Sequence, residues 1–281
     1  MTKKNRDADS LRVVVIQMNS SDDRTANFKQ IQDVLAPLDM NAVDVVLFPE
    51  VFNVRSRTNH EEDASECIET GVTIQWIKAL AIQYGVYILA GSMMESTGSF
   101  KSYNTSLVVD PQGEVMGMYR KIHLFDVDVN GQSIHESNRF LPGKQPTMVT
   151  IMGWKIGLSI CYDLRFPELY RHYFYNEADV LVLPSSFTYH TGRKHWEILC
   201  RARAIENQCY VLAPNQCGMG ARHVQTYGNS LAIGPDGDVL DRMNDKDVGC
   251  FQVTLSKGVI NQIRTAMPTR PHGVLLNQQL I

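Results

Sequence analysis

At 281 residues the chain has the length of one large domain or two modest ones, and its 44% hydrophobic and 20% charged residues describe a globular protein with a core. That composition excludes a disordered, collagen-like or fibrous chain. Lys plus Arg number 27 against 30 Asp plus Glu, a formal charge of -3. No net basic field therefore exists to draw nucleic acid or an anionic membrane, and a small-molecule partner is expected.

The amino terminus is polar, and the apolar run 13–16 behind it is far too short for a signal-peptide core or a membrane span. Six cysteines, Cys67, Cys161, Cys200, Cys209, Cys217 and Cys250, form no C-x-x-C pair and no Cys/His cluster of zinc-ligand spacing. A cytoplasmic protein without a disulfide framework, metal or organic cofactor is expected.

Along the chain, residues 11–18, 44–49, 86–93 and 179–184 are near-continuous runs of Val, Ile and Leu, as in strands covered on both faces. Ile74, Ile77, Leu80, Ala81 and Tyr84 recur at helical spacing, as do Trp196, Leu199, Ala202 and Ile205. Gly-containing turns at 110–113 and 235–237 predict hairpins, so the reading is α/β with βαβ units and hairpins mixed. The apolar-poor segment 125–145, with Asn130-Gly131 and Pro142-Gly143, reads as a functional loop. No linker interrupts the pattern, which predicts one domain over 11–264 with extensions at 1–10 and 265–281. The residues after Arg264 are expected to leave the core.

Three strand ends carry chemistry. Leu47-Phe48-Pro49-Glu50 ends an apolar strand in a carboxylate, at the edge of an α/β sheet where reactive groups gather. Tyr119-Arg120-Lys121-Ile122-His123 sets two cations on opposite strand faces, so one points inward and needs a carboxylate or oxyanion. An apolar strand delivers Cys161, and Pro167-Glu168 starts a helix behind it, giving a thiol on a sharp turn with backbone amides nearby. Each feature alone is more often bland: an exposed Glu, an exposed basic strand end, an inert buried Cys. Together they supply base, electrophilic stabiliser and nucleophile without a histidine. Cys217-Gly218-Met219-Gly220 lacks the third glycine and the helix of a dinucleotide site.

The order and context of Glu50, Lys121 and Cys161 resemble the nitrilase superfamily of carbon–nitrogen hydrolases. The blocks Tyr162-Asp163-Leu164-Arg165-Phe166-Pro167-Glu168-Leu169 and 195–211 resemble its Nit branch, whose members hydrolyse deaminated glutathione or short ω-amido keto acids. The resemblance implies a four-layer αββα sandwich, paired as a homodimer across the helical face after Cys161, where Tyr170, Tyr173 and Phe174 are expected to supply contact area. It implies Glu50 as general base, Lys121 as oxyanion stabiliser, Cys161 as nucleophile and Glu136 orienting Lys121. Arg165 is implied to anchor a substrate carboxylate, with Tyr162, Phe187 and Thr191 lining the pocket. The expected reaction converts a small carboxylate-bearing amide to acid plus ammonia, deaminated glutathione being favoured over α-ketoglutaramate. N-carbamoyl hydrolysis, nitrile hydrolysis and a non-catalytic interaction protein are the alternatives. Lys194, Asn229 and Asp236 depart from the family pattern, the first two at the expected pocket mouth.

Overall fold

The structure is a computed structural model describing residues 9–55, 64–129, 132–220 and 224–273. In the first sheet β1 (Ser10–Gln17), β2 (Val45–Leu47) and β3 (Tyr87–Leu89) run parallel. The strand β15 (Gly249–Ser256) closes one side antiparallel to β1, in register from Ser10 opposite Ser256 to Gln17 opposite Gly249. On the other side β5 (Tyr103–Val109) pairs antiparallel with β3, β4 (Met93–Glu95) and β6 (Val115–Arg120). The second sheet has parallel β10 (Trp154–Leu158), β11 (Val180–Val182) and β12 (Tyr210–Ala213). Antiparallel β9 (Met148–Ile151), β13 (Leu231–Ile233) and β14 (Val239–Arg242) flank them.

Period-two alternation sorts the core. On β1, Val13 and Val15 pack toward the second sheet with Ile156 and Leu158. Val14 and Ile16 turn the other way, onto Phe28 and Ile31 of α1 (Arg24–Leu35) and Ile74 and Ile77 of α2 (Val72–Tyr84). Beyond the second sheet lie α3 (Pro167–Tyr175) and α4 (Tyr189–Asn207), which contribute Tyr173, Trp196 and Ala204 to the core. The order helix, sheet, sheet, helix is the four-layer αββα sandwich, and β2, β3 and β11 are apolar throughout. Each buried Val, Ile or Leu stabilises by roughly 1.5–3 kcal/mol relative to exposure.

Three expectations are corrected. The run 86–93 is two strands: Gly91 has φ 33°, and a Cβ there would lie 1.9 Å from the Pro49 carbonyl oxygen, so the chain turns between β3 and β4 against the segment leading to Glu50. Segment 125–145 is not a plain loop, because β7 (Asp126–Val129) and β8 (Gln132–His135) form a hairpin followed by a 3-10 turn at Glu136–Asn138. Its short alternation hid the strands, and Asn130-Gly131 lies outside the described residues. Tyr170 and Tyr173 are buried in their own chain against the second sheet, and Phe174 is buried beneath Arg171 and Arg270, so the three offer no outer aromatic patch. As expected, the described residues after Arg264 leave the core, none of them being buried; surface hydrogen bonds still hold this end, since α5 (Lys257–Ala266) carries Arg264, which donates to the Ala178 carbonyl, and Arg270 donates to the Phe174 carbonyl. Most of the two expected extensions, residues 1–8 and 274–281, lies outside the described residues.

Candidate active site

Three strand ends converge at one edge of the sandwich: Glu50 follows β2, Lys121 follows β6, and Cys161 follows β10 by three residues. A Glu50 oxygen accepts from Lys121 Nζ at 3.0 Å, and Lys121 donates again to Glu136 at 3.0 Å. Lys121 is 1% exposed and Glu50 3%. Burial pushes the Lys121 ammonium down, but Glu136 and Glu50 together outweigh it and hold it well above the usual lysine range. Burial raises Glu136, which Lys121 and a 2.8 Å hydrogen bond from the Phe125 amide oppose. Arg120 takes the other strand face and ion-pairs with Glu95 instead.

Cys161 sits at φ 47°, a left-handed conformation strained for a side chain with a Cβ, where the 3-10 turn Cys161–Arg165 begins. Its amide donates to the Pro184 carbonyl at 3.0 Å. Burial pushes the thiol well up, and Glu50 adds to this, while Lys121 and the Ser186 backbone pull it down. The resting group is therefore a thiol that needs a base.

A cavity of about 220 Å³ opens over these groups. Of the residues singled out from sequence, Glu50, Glu136, Cys161, Tyr162, Arg165, Phe187 and Thr191 line it, and Lys121 stands behind its wall. Arg165 lies over the rings of Phe187 (5.4 Å) and Tyr162 (5.8 Å), with Nη1 3.3 Å from His195 Nδ1. It does not pair with Asp163, whose oxygens are occupied elsewhere. Burial and the cations Arg165 and Lys194 lower the His195 pKa, which favours the neutral ring, whose Nδ1 can accept from Arg165. Lys194 and Asn229 do not line the cavity. Asn229 takes φ 53°, a conformation Asn tolerates well, and its carbonyl accepts from Trp196 Nε1 at 2.7 Å. Asp236 accepts from the Asp238 amide within the β13–β14 turn.

Sequence reasoning missed the residues that hold this site. Asn104, on β5, donates to Glu50 at 2.9 Å while its carbonyl accepts from the Lys121 amide at 2.8 Å. Asp163, fully buried, accepts from Tyr119 Oη, the Ile160 amide and the His123 amide, with His123 Nδ1 at 2.7 Å, tying the Cys161 turn to the segment that bears Lys121. Gln216 donates to the Glu50 carbonyl at 2.9 Å. Arg55, Phe125, Ile134, Arg139 and Phe140 also line the cavity. Only the Asp two residues after the cysteine carried a local signal, as part of the Tyr162–Leu169 block.

The arrangement suits acyl transfer through a thioester. Among the described residues no group of three or more His, Cys, Asp or Glu could hold a metal ion, and no helix is long and apolar enough to cross a membrane.

The carbon–nitrogen hydrolase family profile matches residues 12–265. The chain is 34% identical over 266 residues to a deaminated glutathione amidase of Synechocystis sp., covering 93% of this chain and 97% of that one. It is 32% identical to an omega-amidase of Saccharomyces cerevisiae, over 92% and 91% of the two chains. The crystal structure of the C. elegans NitFhit protein superposes with a TM-score of 0.86 at 30% identity, covering 94% of this chain and 65% of that longer one. Matched from its first strand to its last helix, the chain belongs to the carbon–nitrogen hydrolase family, the nitrilase superfamily, as an amidase.

Proposed function

We propose that the protein hydrolyses the amide bond of a small carboxylate-bearing substrate, with deaminated glutathione as the favoured one. The observation that carries this reading is the meeting of Glu50, Lys121 and Cys161 at one cavity that Arg165 also lines. Cys161 attacks the amide carbonyl as Glu50 takes its proton, and the C–S bond forms. Lys121 and the Tyr162 amide, at the open start of the 3-10 turn, stabilise the oxyanion. Glu50 passes the proton to the nitrogen, the C–N bond breaks and a thioester remains. Glu50, again a carboxylate, takes a proton from water, which attacks the thioester, and the thiol regains that proton as the acid leaves. A primary amide releases ammonia by this route, whereas a secondary amide such as deaminated glutathione releases an amine, so ammonia is the product only for the former. Glu136 accepts from Lys121 and holds its ammonium in place.

The guanidinium of Arg165 gives a carboxylate on the acyl side two parallel hydrogen bonds. An omega-amidase activity, favoured by similarity to the yeast omega-amidase, uses the same groups on a primary amide. A panel of deaminated glutathione, α-ketoglutaramate and neutral amides, assayed for acid product, tests the proposal. Carboxylate-bearing amides are expected to lead in kcat/KM, Arg165→Ala to lower that lead about tenfold or more, and Cys161→Ala to be inactive. Turnover by Cys161→Ala, or none by wild type on any amide, would sink it. Equal losses for acid and neutral amides in Arg165→Ala would remove Arg165 from substrate binding.

A further inference from the structure

Arg55 is the feature of the cavity that the proposed chemistry leaves unused. It follows β2 and Glu50 on the first-sheet wall, whereas Arg165 follows Cys161 on the second-sheet wall. Only 8% of it is exposed, and among the described residues its Nη1 is buried without a hydrogen-bond partner. The guanidinium closely approaches the chain at Gly220, where a Cβ would come within 1.9 Å of Nη2, so a side chain at that position would exclude it. Burial pushes Arg55 down to about 10, and the carboxylate that opposes this is Glu50, which already accepts from Lys121 and Asn104. A buried guanidinium with an open donor is costly unless an anion completes it.

The reaction gives that anion a direction. Glu50 protonates the leaving nitrogen, so the nitrogen faces Glu50, and whatever it carries extends along the wall that holds Arg55. We propose that Arg55 is the residue that binds an anionic group on the leaving-amine side of a secondary amide, so that it sets the preference for a charged over a neutral leaving amine. This rests on the amidase reading above and on its assignment of Glu50. Arg165 and Arg55 then read carboxylates on either side of the scissile bond, one from each sheet.

The test uses one ω-carboxy acyl group joined to glycine or glycylglycine, each against its C-terminal amide, with the released acyl acid measured. Wild type is expected to prefer the acid form about tenfold or more in kcat/KM for at least one length. Arg55→Met is expected to bring that ratio to about one, and Arg55→Lys to keep part of it. Taking the ratio cancels any effect of the lost charge on Glu50. An unchanged ratio in Arg55→Met, or no preference by wild type at either length, overturns the inference. Should Arg55→Met fail to fold, Arg55→Gln and Arg55→Lys decide it by the same ratio. Wild type that hydrolyses the primary ω-amide yet ignores leaving-side charge refutes Arg55 alone, whereas wild type that hydrolyses no amide refutes the amidase reading and this inference with it.

Discussion

Cys161 is a poor nucleophile as it stands, because burial and the adjacent Glu50 both disfavour its thiolate and only Lys121 and the Ser186 backbone oppose them. The two charged neighbours act with opposite sign, which makes them separable. Glu50→Gln removes a negative charge and is expected to shift the pH profile of Cys161 alkylation by iodoacetamide downward, while abolishing amide hydrolysis for want of a base. Lys121→Met is expected to shift the same profile upward and to lower kcat by about a hundredfold or more through the lost oxyanion contact. Peptide mapping of the alkylated protein isolates Cys161 from the other five cysteines. A shift of the wrong sign in either variant would break this electrostatic account.

Strands and turns, rather than single side chains, set the distances between these groups. Asp163 joins two of them: one carboxylate holds the amide before Cys161, the Tyr119 hydroxyl of β6 and the His123 amide just past Lys121. Asn at this position would turn its NH2 toward donors on one side. Asp163→Asn is therefore expected to cost about 2 kcal/mol or more, lowering Tm by several degrees, roughly 2–4 °C per kcal/mol for a chain of this size. It should also lower kcat more than it raises KM, since the nucleophile and Lys121 lose their common tether. Thermal unfolding and steady-state kinetics check both, and an unaltered Tm would show that the carboxylate is dispensable.

The two sheets hide their apolar faces between paired layers of helix, and α3 has turned Tyr170 and Tyr173 inward to do so. Pairing through the outer helical layer would have to use what α4 leaves outside, namely Ile198 and Ile205, 69% and 51% exposed. Sedimentation velocity at micromolar concentration is expected to give a dimer for wild type and a monomer for the double variant Ile198→Glu, Ile205→Glu. A monomeric wild type would rule out pairing at that concentration, and a dimeric variant would place it on another face.

Local pattern was enough for β1, β2, β11, α2 and α4, because doubly covered strands are mostly apolar and covered helices repeat their apolar residues every three or four positions, whereas α1, β12 and β15 were not read. It also marked Glu50, Lys121 and Cys161, since each ends an apolar run, and the resemblance joined them into one site. Pattern could not reveal the β7–β8 hairpin, whose strands are four residues each, or the break at Gly91, where the chain passes close against Pro49. Nor could it show which way the aromatic side of α3 faces. Arg55, Asn104 and Gln216 were invisible for the same reason: each meets a partner brought from far along the chain, as with Arg55 and Gly220, Asn104 and Glu50 at 54 residues, and Gln216 and Glu50 at 166. A lone polar residue announces its partner only when the fold brings the two together, and here the tertiary structure decided which carboxylate is held, which guanidinium is left open, and where a substrate's charge can rest.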